Sequence, residues 1–240
     1  MNVNRMVDIH CHLLPYVDDG AEDLDEAVEL LEEQHKQGVT TICFTPHLRT
    51  DMFESPDEKI IRQFERLDRI QRENGFGMSL YLSREYHCDR TLMNKMKQEK
   101  LLTMGSQNHI LLEFSNAHSF SVICDRVQQT IQLGYRPLIA HIERYAAIQE
   151  DRERAEELVQ LGAKLQVNAG SILGKEGLRQ KWLIQWLITH GLVYAVASDA
   201  HDMQYRKPLL EQCFRYLERK YGEAQAAVLL RDNPLHLLQD

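Results

Sequence analysis

The sequence predicts an α/β fold of the parallel kind, a closed or distorted β/α barrel, in one domain spanning residues 1–240. Three observations predict it. Short apolar runs of β type alternate with amphipathic helical stretches about seven times, with short connections, which is the pattern of a parallel sheet wound with crossover helices. Five histidines and four acids stand just past those runs, beginning with Asp8-Ile9-His10-Cys11-His12, at the strand ends where barrels carry their reactive groups. These groups come from nearly every run, so they can meet only if the sheet curls on itself.

Along the chain, the first run ends at His10 and His12, which share a face because successive strand side chains alternate, with Cys11 on the opposite face. Residues 22–37 read as a helix with Leu24, Val28 and Leu31 apolar, stopped by Gly38, where a left-handed cap is cheap. The run 40–45 leads to His47. Ser55-Pro56-Asp57-Glu58 offers an N-cap, a first-turn proline and a capping-box acid for a helix to about Asn74-Gly75. The run 78–82 precedes Glu85, a helix covers 89–103, and the run 109–112 precedes Glu113. A helix over 119–133 stops at Gly134, and the run 137–140 precedes His141. Helices over 150–161 and 178–190 stop at Gly162 and Gly191, and the run 193–197 precedes Asp199 and His201. Helices over 206–220 and 223–238 complete the pattern.

With 240 residues, 43% of them hydrophobic, the chain can bury one core of barrel size. A formal net charge of -8, from 36 acids against 28 bases, argues against nucleic acid or an anionic membrane surface as the main partner. No apolar run approaches a membrane span and Met1–Arg5 offers no signal-peptide core, so a soluble, cytoplasmic protein without membrane insertion is expected. Five widely spaced cysteines without a Cys-x-x-Cys pair fit reduced thiols in a reducing compartment.

The remaining histidines (His35, His87, His109, His118, His190 and His236) are expected to be surface or hydrogen-bonded side chains. The strand-end set differs because it is a coincidence of charge: burying it costs several kcal/mol unless cations compensate it. Imidazole and carboxylate without thiolate suit Mn²⁺, Fe²⁺, Co²⁺ or Zn²⁺. The set exceeds what one ion of about four to six ligands can use, so two or three ions sharing a bridging carboxylate are expected. Ions so arranged bring a bridging water to hydroxide near neutral pH and grip both oxygens of a displacement, which points to phosphoester hydrolysis.

Asp8-Ile9-His10-Cys11-His12-Leu13-Leu14-Pro15 with Asp18-Asp19-Gly20, Thr45-Pro46-His47, Glu113-Phe114-Ser115, Ala140-His141-Ile142-Glu143-Arg144-Tyr145, Gln166–Ser171 and Ala197-Ser198-Asp199-Ala200-His201 together resemble the polymerase and histidinol phosphatase (PHP) superfamily. More closely, they resemble its bacterial protein-tyrosine phosphatases of capsule and exopolysaccharide synthesis, in order from about residue 7 to residue 210. The resemblance implies a distorted (β/α)₇ barrel holding three divalent ions, usually manganese, and a phosphotyrosine-containing protein as substrate, namely the tail of an autophosphorylating bacterial tyrosine kinase. It implies one ion on His10, His12, Glu85 and Asp199, a second on Glu85, Glu113 and His141, and a third on Asp19, His47 and His201. Asp19 is preferred to Asp18 only through the resemblance, since Val17-Asp18-Asp19-Gly20 reads equally as a turn. Arg144 and Arg206 match arginines that bind phosphate and the charge of the transition state, and Arg49 is a further candidate. The leaving oxygen would take its proton from His201 or from water on the metal, two alternatives the sequence leaves open. Two departures bear on the substrate groove: Ser83-Arg84 precedes Glu85 where a small residue is expected, and Leu48 replaces a polar residue.

Three rival readings share some of these features. Cys43 to Arg49 has the Cys-x₅-Arg spacing of thiol phosphatases, but Pro46 lacks the N–H such a loop needs and Cys43 lies within an apolar strand. The same spacing from Cys213 to Arg219 falls inside a helix. A small-molecule phosphatase of the same superfamily, such as a histidinol-phosphate phosphatase, would share the cluster, and a non-catalytic phosphotyrosine-binding regulator would keep the cleft without turnover.

Overall fold

The computed structural model describes residues 5–239. Nine strand segments run in chain order: β1 (Met6–Asp8), β2 (Val39–Phe44), β3 (His47–Leu48), β4 (Ser79–Leu82), β5 (Glu85–His87), β6 (His109–Glu113), β7 (Arg136–Ile139), β8 (Lys164–Asn168) and β9 (Ala195–Ala197). Their pairings are all parallel, in the orders β1-β2-β4 and β3-β5-β6-β7-β8-β9. The two sheets are parts of one curled sheet. Pro46 cannot donate to a ladder, so the strand begun by β2 breaks and resumes as β3. Its neighbour breaks at Ser83-Arg84 between β4 and β5, while Ser83 N–H still donates to Phe44 O at 2.9 Å and Glu85 N–H to Thr45 O at 3.3 Å. Counting each broken strand once, nine segments less two leave seven strands. Closure comes from beyond β1, where Cys11 bridges Ala200 in parallel, His12 N–H donates to Ala200 O and Asp199 N–H to His10 O, both at 2.8 Å. The expected distorted seven-stranded barrel is therefore what the chain forms.

Strand alternation produces two apolar cores. Met6, Val39, Ile42, Phe44, Ile110, Leu112, Ile139 and Val196 face the helices, and Val7, Ile9, Cys43, Leu111, Leu138, Ala195 and Ala197 fill the barrel. Leu237 and Leu238 of the helix Asn233–Gln239 join the inner core and plug the end of the barrel opposite the ligands.

Several expectations need correction. Lys164–Asn168 is a strand that a search for apolar runs misses, because its polar members Lys164, Gln166 and Asn168 alternate with buried Leu165 and Val167. The helix expected over 150–161 is two short ones, Ala146–Glu150 and Arg154–Gln160. The helix after Asp89 ends at Gln98, since the following segment turns inward to bury Leu101 and Met104. The helix expected from 206 begins at Leu210. Ser55 does not cap the helix Asp57–Glu73; its hydroxyl donates to Val17 O at 2.7 Å. Among the described residues, no helix is long and apolar enough to cross a membrane.

Candidate metal centre

The ligand cluster sits on the C-terminal rim, and Glu85, the first residue of β5, is its hub. Its Oε2 lies 3.3 Å from His10 Nε2, 3.4 Å from His12 Nε2 and 2.9 Å from His47 Nδ1, while its Oε1 lies 3.0 Å from His141 Nε2. Asp199 Oδ1 stands 3.4 Å from His10 Nε2 and 3.6 Å from His12 Nε2. Asp19 Oδ1 is 3.4 Å from His47 Nε2 and 3.6 Å from His201 Nε2. Glu113 groups with His47 and Glu85 within 4.8 Å. The structure thus brings His10, His12, Asp19, His47, Glu85, Glu113, His141, Asp199 and His201 into one connected cluster. Its subdivision differs from the expected one: His12 also lies with Asp19, His47 and His201, His47 stands in place of His141 beside Glu85 and Glu113, and Asp199 falls outside the tight group of His10, His12 and Glu85.

Three of the five imidazoles are aimed by partners on their other nitrogens, the arrangement by which outer groups orient metal ligands. His12 Nδ1 meets Asp18 Oδ2 at 2.7 Å, His10 Nδ1 meets Gln166 Oε1 at 3.1 Å, and His201 Nδ1 meets Asp199 O at 2.9 Å, leaving each Nε2 for the centre. Asp18 also accepts His47 N–H at 2.9 Å, so one buried carboxylate fixes two ligands, whereas Asp19 is exposed and faces the cluster. Gly20 is required beside them, because a Cβ there would lie 1.9 Å from His12 O. Asp199 and His141 take left-handed backbone, φ 53° and 31°, a strained conformation held by His10 O on Asp199 N–H and Gln166 on His141 N–H.

Burial opposes charge throughout, and the carboxylates decide where it is overcome. Desolvation works against protonating His10, but Glu85 and Asp199 lift it to about 9; the same balance, with Glu85 foremost, lifts His47 to about 10. Glu85 and Asp199 are held well below the carboxylate range, because His10 and its neighbours override their burial. His201 is pushed down to about 2 by burial and then by His12, which keeps it neutral, as a ligand must be. Buried atoms without a hydrogen-bond partner include His141 Nδ1, Asp199 Oδ1 and His201 Nε2 of the cluster. Buried polar atoms left unpaired are costly, and cations seated among them would remove that cost. The residues present therefore fit divalent metal.

At the mouth, Arg144 and Arg206 both donate to Asp199 Oδ2, at 2.8 and 3.0 Å, and Arg144 grips Glu176 through Nε and Nη2 at 2.9 Å each. Arg49 lines with Arg144, His87, Glu113, His141 and Tyr145 a cleft of about 350 Å³. Arg84 stays out of any groove. Its buried guanidinium donates to His47 O and Ser55 O, both at 3.0 Å, and to Asp57 Oδ1 at 2.6 Å, clamping the loop that carries His47. Leu48 packs half-buried against the outer core. Cys43 is fully buried with its thiol pushed up by desolvation, and Cys213 lies in the helix Leu210–Tyr221, so neither thiol is activated.

Sequence reasoning gave no role to Asp18, Gln166, Glu176 or His87. His87 is hydrogen-bonded as expected, but its partner is the ligand Glu113, Nδ1 to Oε2 at 3.0 Å. Its position two residues after Glu85 on β5 was the signal available.

A parallel barrel whose rim gathers imidazoles and carboxylates defines a metal-binding barrel of the hydrolase type. The chain belongs to the family described as capsular polysaccharide synthesis, CpsB/CapC, which it matches over residues 6–239. It is 32% identical over 240 residues to the tyrosine-protein phosphatase CpsB of Streptococcus pneumoniae, covering 98% of this chain and 99% of that protein. It is 29% identical to the tyrosine-protein phosphatase YwqE of Bacillus subtilis (strain 168), covering 98% and 92%. Among solved structures it superposes with a TM-score of 0.89 and 28% identity, over 98% of this chain and 96% of the other, on a chain from the crystal structures of YwqE and CpsB, described as unique metal-dependent tyrosine phosphatases. A histidinol phosphate phosphatase from Lactococcus lactis shares the fold at a TM-score of 0.63 and 15% identity, over 91% and 94%.

Proposed function

We propose that this chain is a metal-dependent protein-tyrosine phosphatase that hydrolyses phosphotyrosine on a phosphoprotein, the tail of a bacterial tyrosine kinase governing capsular or exopolysaccharide synthesis. The observation that carries the reading is the convergence of five imidazoles and four carboxylates, several with orphaned buried atoms, on one rim beside two arginines. Three divalent ions, most simply Mn²⁺, would be held by His10, His12, Glu85 and Asp199; by Glu85, Glu113 and His141; and by Asp19, His47 and His201. Bound ions of this kind supply Lewis acidity, bringing water towards ionisation near neutral pH and neutralising phosphoryl oxygens.

The protein's own groups do the positioning. Asp18, Gln166 and the Asp199 carbonyl hold His12, His10 and His201 with Nε2 inward. Arg144 and Arg206 would offer N–H donors at the mouth for phosphoryl oxygens and for the charge that grows as the ester bond breaks; Arg49, which lines one cleft with Arg144, would serve the same anion. Tyrosinate leaves readily, its conjugate acid having a pKa near ~10, so a strong proton donor is less needed than for an alkyl ester.

Turnover of a phosphotyrosyl peptide in Mn²⁺, compared between wild type and His141→Ala, tests this. A loss on the order of 10³-fold is expected. Faster turnover of histidinol phosphate than of the peptide would replace this reading with the small-molecule one, and an intact peptide retained after long incubation would make the chain a binder.

A further inference from the structure

A cleft of about 460 Å³ opens on the Arg206 side of the mouth, and its charge is unbalanced. Arg144, Lys175, Glu176, Asp199, Arg206 and Lys207 are among its lining residues. Arg144 and Arg206 are engaged by Glu176 and Asp199, so two guanidiniums meet two carboxylates and cancel formally. Lys175 and Lys207 are exposed, and among the described residues they enter no ion pair. The wall of this cleft therefore carries two uncompensated positive charges on a chain whose net charge is -8. Tyr205, 90% exposed, also lines it. Its loop is tied down rather than free: Asp202 accepts the backbone N–H groups of Gln204, Tyr205 and Arg206, and His201 N–H donates to Arg206 O. The cleft on the other flank sets Arg49 and Arg144 against Glu113, a smaller cationic surplus, so an anionic side chain is favoured more on the Lys175 side.

We propose that this cleft is a specificity subsite, holding the substrate residues that flank the phosphotyrosine and selecting peptides with carboxylate side chains beside the scissile ester. Lys175 and Lys207 supply the attraction, and the exposed Tyr205 ring, carried on a backbone held by Asp202, supplies a surface for the peptide. The inference rests on the phosphatase reading. Exposed ion pairs are individually weak and screened by salt, so the preference should be modest and salt-sensitive.

The test uses three phosphotyrosyl peptides identical except for Glu, Ala or Lys at the positions flanking the phosphotyrosine. With wild type in Mn²⁺ at low salt, kcat/KM should favour the Glu peptide over the Ala peptide by roughly fivefold, mostly through KM, with the Lys peptide poorest. In the double variant Lys175→Ala/Lys207→Ala, and in wild type at high salt, the Glu-to-Ala ratio should fall to about one. Equal kcat/KM for all three peptides in wild type, or a preference that persists in the double variant, overturns the subsite. The aryl ester p-nitrophenyl phosphate separates the two readings. If wild type hydrolyses it while treating the peptides alike, the subsite alone fails; if wild type hydrolyses neither ester nor peptides, the phosphatase reading fails and the subsite goes with it.

Discussion

The two ends of the barrel are built from the same strands and do opposite work. At the plugged end, Val7, Cys43, Leu111, Leu138 and Ala195 point inward and meet Leu237 and Leu238, so burial there is apolar and stabilising at about 25 cal/mol per Å². At the rim, the continuation of those strands delivers His10, His47, Glu113, His141 and Asp199, whose burial is electrostatically costly. On β6 the change takes two residues, from Leu111 to Glu113. The lesson is a division of labour: the lower layer and the outer helices stabilise the barrel, and that stability holds orphaned acceptors and left-handed backbone at Asp199 and His141 in place.

If the division is real, substitutions at the two ends should separate activity from stability. Glu85→Gln removes the charge that faces four imidazoles, and should lower turnover by on the order of 10³-fold and reduce bound metal per chain in elemental analysis, with the far-UV circular dichroism of the native fold kept. Leu111→Ala, one layer below, should cost about 2–5 kcal/mol in denaturant unfolding while each folded molecule keeps its metal and its kcat. A Leu111→Ala protein that loses metal before it loses structure would show that the two layers are not separable.

The sequence made the rim more legible than the scaffolding that aims it. Apart from Asp19, the ligands could be read because each follows an apolar run, a local signal, and His10 and His12 declare themselves by alternation alone. Asp19 could not be separated from Asp18 by pattern. Only the folded turn puts Asp18 inward under His12 and His47 and leaves Asp19 facing the cluster. Gln166 lies in a strand whose inward face is polar, so no apolar run marks it. Arg84 looked like an intrusion into the groove because a one-dimensional reading assigns a side to a side chain only while the strand is regular, and the chain breaks between β4 and β5 at that point.

Arg84 therefore offers a finer cut than the ligands themselves. Arg84→Met keeps much of the volume but releases the carbonyls of His47 and Ser55, so the His47 loop loses its clamp without losing a ligand. Loss of such an outer contact should weaken Mn²⁺ binding by about 10-fold to 100-fold in calorimetric titration, with KM for a small aryl phosphate changing less than metal affinity. Unchanged metal affinity with a lowered melting temperature would make Arg84 a structural clamp only.

The smallest effect is one of pH, and its sign distinguishes protons from metal at the rim. In metal-free protein, His10 and His47 stand at about 9 and about 10, above the roughly 6.5 of an unfolded histidine, so the folded state binds protons that the unfolded state has released. That contribution is fully present below about pH 6.5 and is lost as pH rises through the folded values, so the melting temperature of chelator-treated protein should fall by a few °C between about pH 7 and 9. His201, held at about 2, and His109, held at about 4, are neutral in both states across that window and do not alter the sign. With Mn²⁺ bound, the imidazoles are already neutral in the folded state, so their share of the decline should vanish or reverse, leaving only the fall towards about pH 9 that the buried thiols, whose pKa burial raises, cause with or without metal. Identical slopes with and without Mn²⁺ would mean that these imidazoles do not exchange protons for metal, and the rim would have to be read as a network of ion pairs instead.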